Sequence, residues 1–190
     1  MYGIVAHFDQ VTEEYIKTIW KELSELSIST YAEEVRDRRP HFTLASYNRL
    51  DEEAFIRKFA KFFESKFEVS VEMSSLGTFM KTGLLFLAPT PTIGLLTFHE
   101  IYHQTFAEFA DLPDSMYHPK KWVPHCTLAN RLSSENLNEA LNYCSQRIEK
   151  IQARIAEVSI IKMINHSTVP IIHSCYLRRQ VSYPSNRPAK

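Results

Sequence analysis

Cysteine is scarce: Cys126, Cys144 and Cys175 are the only three among 190 residues. Three thiols so scattered make neither a disulfide framework nor a zinc knuckle, and reduced thiols in cytosol are the expectation. An excess of either charge is also missing. Lys and Arg total 22 and Asp and Glu total 22, for a formal net charge of zero. A broad, sequence-independent grip on long nucleic acid needs many phosphate contacts, and this balance argues against it. A small nucleotide or one end of an RNA strand stays compatible. No apolar run approaches membrane-spanning length, so no membrane partner is expected. The stretch from Met1 to Asp9 lacks a basic region and reads as a first strand, not a signal peptide. A soluble cytoplasmic protein is the expectation. With no long exposed heptad, monomer is the default.

What is present is an ordinary globular composition, 44% apolar and 12% aromatic. The length suits one good-sized domain or two small lobes sharing an interface. Residues 2–8 read as a strand and 12–26 as an amphipathic helix carrying Ile16, Ile19, Trp20 and Leu23. A strand over 41–47 follows, then a helix capped by Asp51 and running to about residue 65, with Phe55, Phe59, Phe62 and Phe63 inward. Residues 67–73 alternate like a half-buried strand. The order then recurs as strand 83–88, helix 92–110, strand 125–130, helix 134–150 and strand 153–164. A last strand over 171–177 precedes a polar tail, 181–190.

The two halves also match in letters. Pro40-His41-Phe42-Thr43-Leu44-Ala45 aligns with Pro124-His125-Cys126-Thr127-Leu128-Ala129. Both run on into Asn-Arg-Leu, at 48–50 and 130–132, and then into a helix cap, Asp51 or Ser133. An internal repeat explains this better than coincidence.

On a strand, residues two apart share a face. His41 therefore lies with Thr43, and His125 with Thr127, while Phe42, Leu44, Cys126 and Leu128 turn to the core. Packing explains repeated Leu and Ala, but not a repeated His with Thr on the polar face. Two histidines near their ordinary pKa can act as a base and acid pair around neutral pH. Two threonine hydroxyls can donate to non-bridging phosphoryl oxygens. The segments entering the motifs are basic: Arg36, Arg38 and Arg39 before the first, Lys120 and Lys121 before the second. If both strands start at one cleft, these loops and Trp122 rim it and attract a small phosphorylated ligand.

A competing pattern is His99-Glu100-Ile101-Tyr102-His103, which has the zinc-peptidase letters H-E-x-x-H. It arises by chance in roughly 3% of such chains. Phe106 and Phe109 stand where the extended motif needs Gly and a third His. Leu95, Phe98, Tyr102, Phe106 and Phe109 make an apolar stripe at helical spacing, with His99 and His103 at its flanks. A packing helix is expected here, and no metal. His7, His118, His166 and His173 have no partner at a telling spacing; His7 lies on the first strand, within reach of the cleft, and a structural role is expected for it.

The paired His-Phe-Thr-Leu and His-Cys-Thr-Leu resemble the two H-x-T-x signatures of the two-histidine (2H) phosphoesterase superfamily. Within it the chain is most similar to the bacterial branch named for 2'-5' RNA ligase and cyclic nucleotide phosphodiesterase activity. The resemblance spans nearly the whole chain. It implies an α+β fold of two pseudo-symmetric lobes, each a mainly antiparallel sheet with helices outside and a cleft between the sheets. The lobes would come mainly from about 1–80 and 81–180 of a single domain over 1–180, with exchange of strands allowed. It further implies hydrolysis of 2',3'-cyclic phosphates of nucleotides or RNA ends, or the reverse 2'-5' joining, without a cofactor. By the same resemblance His41 is the proton donor, His125 the proton acceptor, and Thr43 and Thr127 hold the phosphate. Since the motifs are near twins, nothing in the sequence decides which His is acid. Arg131, Phe79, Trp122 and Tyr117 are further candidates for substrate contact. The alternative from another class is a non-catalytic nucleotide-binding or sensor protein on the same fold.

Overall fold

The computed structural model describes residues 1–179, so the tail expected over 181–190 lies outside the described residues. The chain runs β1 (Tyr2–Phe8), α1 (Gln10–Glu25), β2 (His41–Tyr47), α2 (Glu52–Phe63), β3 (Val69–Thr78) and β4 (Leu85–Pro89). It continues as α3 (Ile93–Thr105), a 3-10 turn (Ala107–Phe109), β5 (Cys126–Ala129), α4 (Ser134–Arg147), β6 (Ile151–Lys162) and β7 (Ile171–Tyr176).

Each α-helix starts where a short polar side chain caps it. Asp9, Asp51, Thr92 and Ser133 are extended residues whose side chains accept from the amides of Thr12, Ala54, Leu95 and Asn136. Inward faces follow at helical spacing: Ile16, Ile19, Trp20 and Leu23 on α1, and Phe55, Phe59 and Phe63 on α2. Phe55 and Phe59 meet Phe106 of the α3 terminus with ring centroids 5.1 and 6.3 Å apart, and Phe63 meets Tyr102 at 6.4 Å. The Asp51 cap is exposed and local. Asp51→Ala is therefore expected to cost about 1 kcal/mol, read as a lower urea midpoint with an unchanged slope; no loss would mean the cap contributes nothing to folding.

The seven strands form one antiparallel sheet of order β2-β1-β6-β3-β4-β5, with β7 also on β6. The two expected sheets are thus joined, and β6 is the reason. Its twelve residues span roughly 40 Å at about 3.3 Å per residue. Residues 151–155 pair with β3, 157–161 pair with β7, and 155–162 pair with β1. Strand β3, from the first half of the sequence, therefore sits with β4 and β5, whereas β6 and β7 return to β1 and β2. Although β2 and β5 end the order on opposite sides, they touch, so the sheet curls until its edges meet.

Register decides what faces the space between those edges. His41 pairs with His7 and Thr43 with Val5 on β1, which pair in turn with Glu157 and Ser159 on β6. Directly paired residues share a face, so His41, His7, Thr43 and Val5 lie together. Their neighbours Phe42, Leu44, Ile4, Ala6 and Phe8 are buried on the helix side. At the other edge Thr127 pairs with Phe86, and Phe86 with Gly77.

Candidate active site

His41 opens β2 and His125 immediately precedes β5, each behind its proline. The two imidazoles are held alike. Nδ1 of His41 lies 2.7 Å from the Arg39 carbonyl, and Nδ1 of His125 lies 2.7 Å from the Val123 carbonyl, two residues back in each case. A carbonyl only accepts, so each Nδ1 carries the proton and each Nε2 is left with its lone pair. Both rings are half-buried, as are Thr43 and Thr127 on the same strand faces. Phe42 and Cys126 are buried behind them.

The edges are braced to each other by two indoles. Trp20 of α1 donates from Nε1 to the Thr127 carbonyl at 3.1 Å, and Trp122 donates to the Thr43 carbonyl at 2.9 Å. Both motif threonines are therefore fixed through their own backbone. Trp122, expected on the basic rim, is instead buried, its ring stacked on His99 at 3.7 Å and 5°. His99 and His103 both place Nε2 3.0 Å from the Leu44 carbonyl. The H-E-x-x-H letters thus serve to hold β2. His99 belongs to the buried face of α3 and not to the flank, because β2 is an edge strand whose Leu44 carbonyl needs donors. Among the described residues no group of three or more His, Cys, Asp or Glu is arranged to hold a metal ion.

Phe79 stands edge-on to His125 at 5.0 Å, and Phe86 lies 5.2 Å from it. Gly77 makes room for this: a Cβ there would lie 2.5 Å from the Phe86 ring. Tyr117 is half-buried, and its hydroxyl faces Thr43. Arg131 adopts a left-handed backbone, φ 57°, and its guanidinium pairs with Glu34 at 2.5 Å. Glu34 also pairs with Arg38 at 3.6 Å.

Charge around the two histidines is uneven. Arg38 stacks over Tyr31 at 3.9 Å. Arg39 grips Glu13 through Nε and Nη2 at 3.1 and 2.7 Å and Glu157 at 2.8 Å. On the His125 side Lys120 is exposed and Lys121 pairs with Asp114 at 3.5 Å. Burial pushes the His41 imidazole down to about 4; the Arg39 carbonyl opposes this, and Arg38 and His125 add to it. Burial also lowers His125, against the Val123 carbonyl. The expectation of two histidines near their ordinary pKa is thus corrected: the site is drier than strand alternation alone reveals.

Sequence reasoning passed over Tyr31 and Phe86, and placed Arg38 only as one of several rim cations. Only the register Thr127–Phe86 and the stacking of Arg38 on Tyr31 bring them in, and neither has a signal along the chain.

A family model described as "2'-5' RNA ligase superfamily" matches residues 16–166. A search of the curated proteins gave no match. Among solved structures, E. coli LigT complexed with 3'-AMP is similar, at 12% identity over 93% of this chain and 97% of that one, with a TM-score of 0.60. TT0787 of Thermus thermophilus is similar at 14% identity over 95% and 99%, with a TM-score of 0.57. A structure described as a phosphoesterase matches at 11% identity over 93% and 97%, with a TM-score of 0.55. At such identities these likenesses speak for the fold alone.

Proposed function

The chain belongs to the 2'-5' RNA ligase superfamily, and from that premise we propose that it is a metal-independent phosphoesterase acting on 2',3'-cyclic phosphates of nucleotides or RNA ends. The observation that carries the reading is the matched pair of imidazoles, each with Nδ1 on the carbonyl two residues back and Nε2 free. His125 takes a proton from the attacking water. The oxygen of that water forms the new bond to phosphorus while the bond to one ribose oxygen breaks. His41, which must enter the step as the imidazolium with a second proton on Nε2, delivers that proton to the leaving oxygen. Thr43 and Thr127 donate hydrogen bonds to the non-bridging oxygens, as preorganised donors do for developing charge. Phe79, edge-on to His125, offers a face to the base. With an RNA hydroxyl in place of water, the same displacement joins ends through a 2'-5' bond, the 3'-oxygen leaving with the proton from His41. That E. coli LigT was crystallised with 3'-AMP supports a nucleotide as the ligand class.

The test is incubation, with a chelator present, of the protein with 2',3'-cyclic nucleotides and with RNA oligomers ending in a cyclic phosphate, and identification of the products. Binding without turnover would leave a nucleotide sensor and remove the catalytic reading.

The pH profile checks the same reading. In the free protein both imidazoles are lowered from 6.5, His41 to about 4. A histidine acid is lost as pH rises through its pKa, and a histidine base is lost as pH falls through its own. The value of kcat/KM follows the free enzyme, so its maximum is expected below pH 6.5, declining about tenfold per unit on the alkaline side. The optimum of kcat lies higher, because bound phosphate favours the charged imidazole. A kcat/KM maximum above pH 7.5 would contradict the assignment.

A further inference from the structure

The two motif histidines are oriented by the same kind of bond, but the first also stands beside a third imidazole. Strand register puts His7 of β1 directly opposite both His41 of β2 and Glu157 of β6. Paired residues share a face, so Glu157, His7 and His41 form one row across three strands. The rings of His7 and His41 meet edge-on, with centroids 5.9 Å apart and 76° between their planes.

His7 is 2% exposed. Its Nδ1 donates to the Pro40 carbonyl at 3.1 Å, and the Glu13 carboxylate, 3.9 Å from the same nitrogen, is too far to share the proton. Its Nε2 is buried and has no hydrogen-bond partner among the described residues. Burial, with His41 and Arg39 nearby, pushes the imidazole down to about 3, so it stays neutral. Packing alone does not account for such a residue. A buried polar atom left unpaired costs stability, and an apolar side chain of the same shape would avoid that cost. The nitrogen that is used, Nδ1, acts on the backbone of the first motif. Neutrality suits the place as well, because a second cation beside His41 would drive the proton off the acid.

What Nδ1 holds is the start of β2. His41 is oriented by the Arg39 carbonyl at 2.7 Å, and His7 takes the next carbonyl along the chain. The Arg39 side chain is anchored too, at Glu13 and Glu157. The peptide that orients His41 therefore lies between two anchors. The second motif is built differently. Exposed Val123 stands in the place of Arg39, and His125 meets the rings of Phe79 and Phe86, which can hold no carbonyl. We infer that His7 is a positioning residue for the reaction: by fixing the Pro40 carbonyl it holds the Arg39 carbonyl where it keeps a proton on His41 Nδ1 and aims Nε2 at the leaving oxygen. This role rests on His41 being the proton donor. It makes the near-twin motifs unequal, since the first is braced by an imidazole from the neighbouring strand. Misplacing a reacting group by about 1 Å costs up to about a hundredfold in rate.

The experiment separates the two nitrogens of His7. Asn carries its amide nitrogen where Nδ1 stands, and Gln carries it where Nε2 stands. Both variants keep a polar side chain, but only Asn keeps the donor to Pro40. With a 2',3'-cyclic nucleotide as substrate, His7→Gln is expected to lower kcat at least about tenfold, with KM within about twofold. His7→Asn should bring kcat back to within about threefold of wild type. Imidazole 15N spectra at pH 7 give the second readout, with the His41 signals identified by their loss in His41→Ala. His41 is neutral at that pH, its pKa being lowered to about 4. Wild type and His7→Asn should show it as one tautomer, protonated on Nδ1, and His7→Gln as a mixture of both. Should His7→Gln not fold, His7→Leu, which has no donor, takes its place with the same expectations. Equal kcat in the Asn and Gln variants, a loss confined to KM, or an unchanged His41 tautomer in His7→Gln would overturn the role. The spectra need no substrate, so the two readings fail separately. If the tautomers follow this pattern but wild type turns over no cyclic phosphate, His7 still orients His41 and the catalytic reading falls. If cyclic phosphate is turned over at one rate by all three proteins, the catalytic reading stays and the role of His7 is removed.

Discussion

Replacing His41 or His125 by alanine is expected to lower turnover of a 2',3'-cyclic phosphate at least about a hundredfold, the usual weight of one general acid or base. Each ring is half-buried and makes one hydrogen bond, to its own strand's carbonyl, so folding should survive. The two losses should not add. Once one proton cannot move, the other transfer has little left to accelerate, and the double variant should resemble the worse single one. Thr43→Val and Thr127→Val test the phosphate contacts by the same assay, with smaller losses. Single-turnover rates with each histidine variant at its own pH optimum are the measurement. Retention of turnover within about threefold by both histidine variants would remove the site altogether.

The second large effect lies one residue before the first motif proline. Arg39 is the counter-ion of two carboxylates that water hardly reaches, Glu13 and Glu157, with side chains 9% and 5% exposed. Arg39→Met would strand Glu157 and leave Glu13 only Lys17 at 3.7 Å, and breaking such a buried pair costs about 3–5 kcal/mol. The sign of its pH dependence is fixed. For Glu157 burial raises the pKa, but the Arg39 contacts outweigh it and the net shift is downward. A depressed carboxylate stabilises the fold above its unfolded pKa and loses that contribution as pH falls. Without Arg39, burial wins, the carboxyl keeps its proton, and the variant is penalised most where the unfolded state ionises. The gap between wild type and variant should therefore be full at pH 7 and shrink as pH falls through about 4. Urea unfolding at both pH values decides it, and Arg39→Met with Glu157→Gln should recover part of the loss. A gap below about 1 kcal/mol at pH 7 would mean that the network is solvated in practice.

Much of this was readable along the chain. Two of the four N-caps (Asp51 and Ser133), the phenylalanine face of α2 and the two H-x-T strands are each read from a local signal, and alternation alone separates His41 and Thr43 from Phe42 and Leu44. What stayed hidden needs two strands at once. A strand's own pattern does not name its neighbour, so although exchange of strands was allowed for, that β3 would pass to β4 and β6 return to β1 had no local signal. The same blindness covers His7, which gains meaning only beside His41 in register, and Trp122, whose basic context suggested a rim while its indole was bound for the Thr43 carbonyl. The lowered His41 has the same origin, because dryness is a property of the assembled face and not of a hexapeptide.

The sharing of β6 also sets a timetable. Strand β1 finds its β6 partner about 150 residues later in the chain, and β3 waits for the same segment. At about 5–20 residues per second of synthesis, β1 stays bare on that edge for roughly 8–30 s. Its apolar side, Ile4, Ala6 and Phe8, is for that time an open template for another chain. The hazard ends when residues 151–162 leave the ribosome and knit β1 to β3, with β7 adding to β6 as it follows. The two histidines come into register only then, so a ribosome-bound fragment ending before β6 has both motifs and no site.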